Sequence, residues 1–179
     1  IIGAGFVGMS LAALLSQKHN VSVLDIDERK VKKINTKQST IDDPDIAEVL
    51  KTENLNLNAT SRADEALADS NLVFIATSTN FDESLNSFDT TNVESAINQS
   101  LEMSDPNSLV IIKSTVPIGF TKSQHLKHRS SRIIFSPEFL REGMALHDNL
   151  YPSRLIIGGK KNKANKMFAK IMTDAAINK

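Results

Sequence analysis

Short, continuously apolar runs alternate along the chain with stretches whose apolar residues recur every three or four positions. Leu72-Val73-Phe74-Ile75-Ala76 and Leu109-Val110-Ile111-Ile112 carry no polar alternate, as expected of central strands covered on both faces. Further strands are predicted over Val21–Leu24, Leu55–Ala59, Arg132–Phe135 and Leu155–Ile157. Between the strands fall predicted helices at Phe6–Lys18, Glu28–Ile34, Asp45–Thr52, Ala63–Ala68, Thr91–Met103 and Thr121–Lys127, with a last one over Ala164–Lys179. Strands alternating with helices make an α/β fold, doubly wound, with helices on both faces of a mainly parallel sheet.

The opening Ile1-Ile2-Gly3-Ala4-Gly5-Phe6-Val7-Gly8 places G-x-G-x-x-G behind an apolar strand and ahead of an apolar helix. In that context the pattern is a dinucleotide-binding fingerprint. Gly3 permits the turn, Gly5 lets backbone approach a pyrophosphate, and Gly8 lets the helix pack close to the sheet. The helix N-terminus offers its unpaired N–H groups to the phosphates. Val21–Leu24 then delivers Asp25, seventeen positions after Gly8, where a carboxylate accepts hydrogen bonds from a ribose. Glycines kept only for packing would account for Gly8, but not for Gly3 and Gly5 together. The chain is therefore read as a Rossmann-type domain over residues 1–159, with 160–179 starting a connection to something further.

Composition narrows the partners. Equal numbers of acidic and basic residues give zero formal charge, so no global field favours nucleic acid or an anionic membrane. No apolar run reaches the length of a membrane span, and no signal peptide is visible. The absence of cysteine rules out disulfides and thiolate metal sites within the chain and suits a cytoplasmic protein. His19, His125, His128 and His147 stand at no recognised ligand spacing, so no metal is expected. Lys160, Lys161, Lys163, Lys166 and Lys170 read as a solvated helix face. Only two residues precede Gly3, and the last helix has no companion strand, so both ends are read as interior to a longer protein.

Ligands of open α/β sheets bind beyond the carboxyl ends of the strands. Three polar segments follow predicted strands here: Thr77-Ser78-Thr79-Asn80, then Lys113-Ser114-Thr115-Val116-Pro117-Ile118-Gly119, then Ser136-Pro137-Glu138-Phe139-Leu140-Arg141-Glu142. Ser136 and Pro137 make a good N-cap and first-turn pair, predicting a helix that carries Glu138 and Glu142 on one face. Two carboxylates near the Thr115 hydroxyl would hold a water and take its proton. Acids that merely stabilise a helix start fit the same spacing.

These segments, with the Gly3–Gly8 fingerprint, Asp25, Lys30 and Pro152-Ser153-Arg154-Leu155-Ile156-Ile157-Gly158, resemble the NAD-binding domain of the UDP-glucose/GDP-mannose dehydrogenase family. Phe88-Asp89-Thr90-Thr91-Asn92-Val93-Glu94 is similar to the bacterial UDP-glucose 6-dehydrogenase branch, and Ser78 departs from the family's usual proline. The resemblance implies an oxidoreductase that turns UDP-glucose into UDP-glucuronate with two NAD in succession, by way of a thioester on a downstream cysteine. It implies that Gly3, Gly5, Phe6, Val7, Gly8, Asp25, Lys30, Thr79, Thr115 and Glu142 meet the cofactor. It gives Thr115 and Glu138 the catalytic water, and Glu138, Phe139, Leu140, Arg141 and Glu142 the sugar nucleotide. The full-length protein would be a homodimer, its dimer-forming helix lying past Lys179. Other readings of the same opening are another nucleotide-sugar dehydrogenase, a hydroxyacyl-CoA or 6-phosphogluconate type of dehydrogenase, or a non-catalytic dinucleotide-binding module.

Overall fold

The computed structural model describes residues 1–52, 54–83, 86–159 and 162–177. In chain order, α1 (Phe6–Leu15), β1 (Val21–Leu24), α2 (Glu28–Asn35), α3 (Pro44–Leu50) and β2 (Leu57–Thr60) form the first half. Then come α4 (Ala63–Leu67), β3 (Leu72–Ile75), β4 (Phe81–Asp82), β5 (Ser87–Phe88), α5 (Thr91–Met103) and β6 (Leu109–Ile112). The last elements are α6 (Phe120–His128), β7 (Ile133–Phe135), α7 (Ala145–Leu150) and α8 (Lys163–Ala175). Lys160, Lys161 and Lys179 of the sequence reading lie outside the described residues.

The main sheet is parallel throughout. Val21 of β1 stands opposite Leu57 of β2, Leu72 of β3 opposite Leu109 of β6, and Val110 of β6 opposite Ile133 of β7. Ile2 joins the two halves by bridging Leu24 and Ile75. Its N–H donates to the Phe74 carbonyl and its carbonyl accepts from Ala76, each at 2.8 Å. The resulting order, β2-β1-Ile2-β3-β6-β7, is that of a doubly wound Rossmann fold. Chain direction across the sheet reverses beside Ile2, so the ligand crevice of such folds opens at Gly3.

Alternate residues of the strands feed two cores, one on each face. Phe74 and Ile111 pack with Met9, Leu11, Ile46, Leu50, Leu146 and Phe168 on one side. Val73, Ile75, Val110 and Ile112 pack with Leu67, Val93, Ile97 and Ile133 on the other. Helix α8 is held by Phe168, which is fully buried and meets Phe74 edge-on at 5.8 Å.

Two sequence expectations fail. Leu155–Ile157 is no strand: Leu155 and Ile156 are exposed, and it is Gly158, just after the segment, whose N–H donates to the Phe135 carbonyl of β7 (2.8 Å). Nor does a helix start at Ser136, since residues 136–141 are irregular and α7 begins only at Ala145. The Ser136 N–H is already spent on the Ile112 carbonyl (2.9 Å), continuing the β7 ladder. Its hydroxyl takes a hydrogen bond from Lys113 Nζ (3.3 Å) instead of capping a helix. Glu138 and Glu142 therefore do not share a helical face. The antiparallel pair β4–β5, closed by Phe81 against Phe88 at 5.3 Å, and the short α7 were not anticipated from the sequence.

Candidate functional site

Gly3 has φ +103°, and a Cβ there would stand 2.5 Å from the Ala76 carbonyl oxygen. A Cβ on Gly8 would meet the Gly3 carbonyl oxygen at 1.8 Å. Turn, α1 and the end of β3 close on one another only with both side chains missing. Gly5 differs, because a Cβ there would meet nothing within 4 Å. Its missing side chain leaves backbone open to whatever occupies the crevice. Helix α1 begins at Phe6 with no side-chain cap on Gly5 and no acid in its first turn, so its amide end remains available to an anion.

Asp25, at the end of β1, braces this turn. Its Oδ2 accepts from Ala4 N–H (2.7 Å), its Oδ1 from Asp27 N–H (2.9 Å), and Lys30 Nζ lies 3.7 Å from Oδ2. A carboxylate has about four acceptor positions, so two remain for a diol. Gly3, Asp25 and Lys30 line one cavity of about 440 Å³ together with Thr77, Ser78 and Asn92. Thr77 Oγ1 is buried and has no hydrogen-bond partner among the described residues. An open glycine, an uncapped helix start, an acceptor carboxylate and an orphaned hydroxyl around one crevice fit a dinucleotide.

A second cleft, of about 300 Å³, is lined by Glu138, Phe139 and Leu140 with Asp148, Asn149 and Arg154. Glu138 is ion-paired with Lys113, whose side chain is fully buried at the end of β6. Burial pushes the Glu138 carboxyl above its usual range and draws the Lys113 ammonium below its own, while each charge opposes the shift of the other. The Arg154 guanidinium stacks on the Phe139 ring, 4.1 Å from its centre. Arg141 pairs with Asp148 at 2.6 Å.

The structure thus gathers Gly3, Asp25 and Lys30 in one cavity, and Glu138, Phe139 and Leu140 in another. Gly5, Phe6, Val7 and Gly8 form the turn and first residues of α1 beside the first cavity. Thr79 follows β3, half-buried, outside both linings; Thr115 and Glu142 are exposed, and no hydrogen bond joins Thr115 to Glu138. Lys113 and Thr77 were not singled out from the sequence. A lysine ending the all-apolar run Leu109–Ile112 was the signal for Lys113, because a buried cation needs a partner. Among the described residues no three acidic or histidine side chains gather to hold a metal, and no helix is long and apolar enough to cross a membrane.

Residues 1–176 match the model of the UDP-glucose/GDP-mannose dehydrogenase family, NAD binding domain. The chain belongs to that family. NAD is accordingly the cofactor of this domain. The chain is 48% identical over 158 residues to a UDP-glucose 6-dehydrogenase of Streptococcus pneumoniae, covering 88% of this chain and 40% of the relative. It is 46% identical over 162 residues to one from Campylobacter jejuni subsp. jejuni, covering 89% and 41%. Among solved structures, a UDP-D-ManNAc dehydrogenase from Pyrococcus horikoshii superposes with a TM-score of 0.87 at 26% identity, covering 100% of this chain and 45% of that one. A UDP-glucose dehydrogenase from Pyrobaculum islandicum gives 0.83 at 27%, covering 99% and 44%. The chain spans about two-fifths of the length of the curated relatives it matches.

Proposed function

We propose that this chain is the NAD-binding part of a dehydrogenase that oxidises UDP-glucose to UDP-glucuronate. The observation that carries the reading is the placement of two cavities at the same carboxyl edge of the sheet. One is built for a dinucleotide around Gly3, Asp25 and Thr77; the other carries the Glu138 carboxylate on its wall. NAD, bound in the first, supplies the hydride acceptor. In this reading Asp25 and Lys30 hold its adenosine side, with Val7 on the phosphate turn and Thr79, Thr115 and Glu142 further along it. Phe139, Leu140, Arg141 and Glu142 flank the sugar nucleotide beside Glu138. Glu138 takes the proton from the water that releases the acid product, with Thr115 orienting that water.

Oxidising an alcohol to an acid removes four electrons, so two NAD are reduced per sugar and one water is consumed. A thiol that carries the acyl group between these steps is absent from the 179 residues. The chain is assigned the cofactor and the hydrolytic carboxylate. UDP-glucose is favoured over other nucleotide sugars by the identity to the streptococcal and campylobacter relatives.

Calorimetric titration of the chain with NAD, NADP and UDP-glucose tests the reading. NAD is expected to bind more tightly than NADP, because Asp25 meets a 2′-phosphate with like charge. Equal or tighter binding of NADP would remove the assignment of Asp25 to the ribose. UDP-glucose bound more weakly than GDP-mannose would move the substrate to another member of the family.

A further inference from the structure

Lys113 is a charge that the proposed chemistry leaves unused, and its surroundings are specific. Its backbone N–H donates to the Ile75 carbonyl at 2.9 Å, fixing the residue where β6 leaves the sheet. Its side chain is wholly buried, with Nζ in contact with Glu138 Oε1, 3.3 Å from Ser136 Oγ and 6.0 Å from the centre of the Phe168 ring. Ser136 and Phe168 are themselves fully buried. The ammonium therefore sits on the dry side of the pair. Glu138, 13% exposed, sits on the side that lines the cleft.

The direction of this pair matters. The pair is asymmetric: its acid faces a cleft, while its base is enclosed beside a phenyl ring. Buried pairs are often no better than apolar residues of the same volume. A carboxylate at the wall of a cleft, with a cation fixed behind it, keeps its outer oxygen accessible and its position set from the inside. The remaining charged groups on the walls are Asp148 on α7, tied to Arg141 and 3.7 Å from His147, and Arg154, stacked on Phe139. Asp148 is thus already neutralised by its own partner, which leaves Lys113 as the cation in contact with Glu138 among the described residues.

We propose that Lys113 is the positioning residue of Glu138, holding its carboxylate in place at the wall of the cleft. Lys113 touches neither substrate nor cofactor in this role and acts only through Glu138. The inference rests on the proposed function for what the carboxylate does, but not for how it is held.

The test is a carboxyl titration of Glu138 in the ¹³C-labelled 179-residue chain, its signal assigned by comparison with Glu138→Gln. In Lys113→Met, which keeps the apolar stem and removes the charge, the Glu138 midpoint should rise by about one pH unit or more, roughly tenfold or more in the protonation equilibrium. Lys113→Arg should restore most of the difference. A midpoint unchanged in Lys113→Met, with the amide spectrum still that of a folded chain, overturns the proposal and leaves Lys113 a packing residue. Should Lys113→Met fail to fold, the reciprocal measurement stands. The two groups titrate as a pair, so in Glu138→Gln the Lys113 ammonium should lose its proton about one pH unit lower or more. A lysine titration that ignores Glu138→Gln overturns the proposal equally. Failure of UDP-glucose to bind would remove the proposed reaction and leave these titrations standing.

Discussion

Arg141 closes on Asp148 through three contacts: its N–H and Nε to Oδ2 at 2.8 and 3.1 Å, and Nη2 to Oδ1 at 2.6 Å. The hydrogen bonds from Arg141 hold the Asp148 carboxyl down from 3.8 to about 2. A carboxyl lowered on folding stabilises the fold above its ordinary pKa and loses that contribution as pH falls through its folded value. For Asp148 the window therefore runs from near pH 4 down to near pH 2. Arg141 is well exposed, which keeps the effect small. Thermal unfolding of Asp148→Asn should show a deficit against the parent chain at pH 7 that closes as pH is lowered through this window. A deficit of the same size at pH 3 and pH 7 would mean that Arg141 does not hold the carboxylate. The pair also shows a limit of reading residue types alone. A guanidinium in Phe139-Leu140-Arg141-Glu142 suggests a ligand contact, yet Asp148, seven positions on, engages it within the chain.

At the scale of elements, irregular structure replaced the expected helix at Ser136 because a distant residue supplies the cap. Asp43 is buried at the start of α3, where its Oδ1 accepts from Ile46 N–H at 3.2 Å. Its Oδ2 accepts from Ala145 N–H at 2.7 Å and from Leu146 N–H at 3.4 Å. One carboxylate thus starts both α3 and α7, with Asp43 and Ala145 102 residues apart. Local spacing around Ser136 and Pro137 holds no trace of that, and neither does the local context of Asp43, which reads as an ordinary cap before Pro44. Strands were more legible, because a continuously apolar run has no competing partner to find. The exception, Leu155–Ile157, lies beyond β7, where only Gly158 finds the ladder. The same neighbourhood also braces the glycine turn: Thr40 Oγ1, three residues before Asp43, donates to the Ala4 carbonyl at 2.8 Å. Asp43→Ala should leave amides at two helix starts without an acceptor, costing roughly 2–4 kcal/mol. That corresponds to a fall of roughly 5–15 °C in melting temperature for a chain of this size, measurable by circular dichroism. A loss near that of an exposed cap, below about 1 kcal/mol, would show that α7 finds its start without Asp43.

For the molecule as a whole, the parallel, doubly wound sheet was legible in the alternation of apolar runs with helices, since parallel strands need helical crossovers, whereas the order β2-β1-Ile2-β3-β6-β7 comes from the structure. The fingerprint glycines were legible for the same reason: φ +103° at Gly3 and a 1.8 Å approach at Gly8 leave no alternative residue. What stayed hidden was pairing across the sheet, such as Lys113 with Glu138, because sequence distance says nothing of which strand end faces which loop. The arrangement also separates two capacities. In the proposed reading cofactor binding draws on Gly3, Gly5, Asp25, Lys30 and Thr77, all within the chain. The proposed four-electron oxidation would draw on a thiol for its completion, and the 179 residues contain no cysteine. The chain on its own should therefore bind NAD while producing no sustained NADH from UDP-glucose, followed at 340 nm. Steady NADH formation by the purified chain, lost in Glu138→Gln and so not owed to a contaminant, would require a route to the acid that dispenses with the thiol.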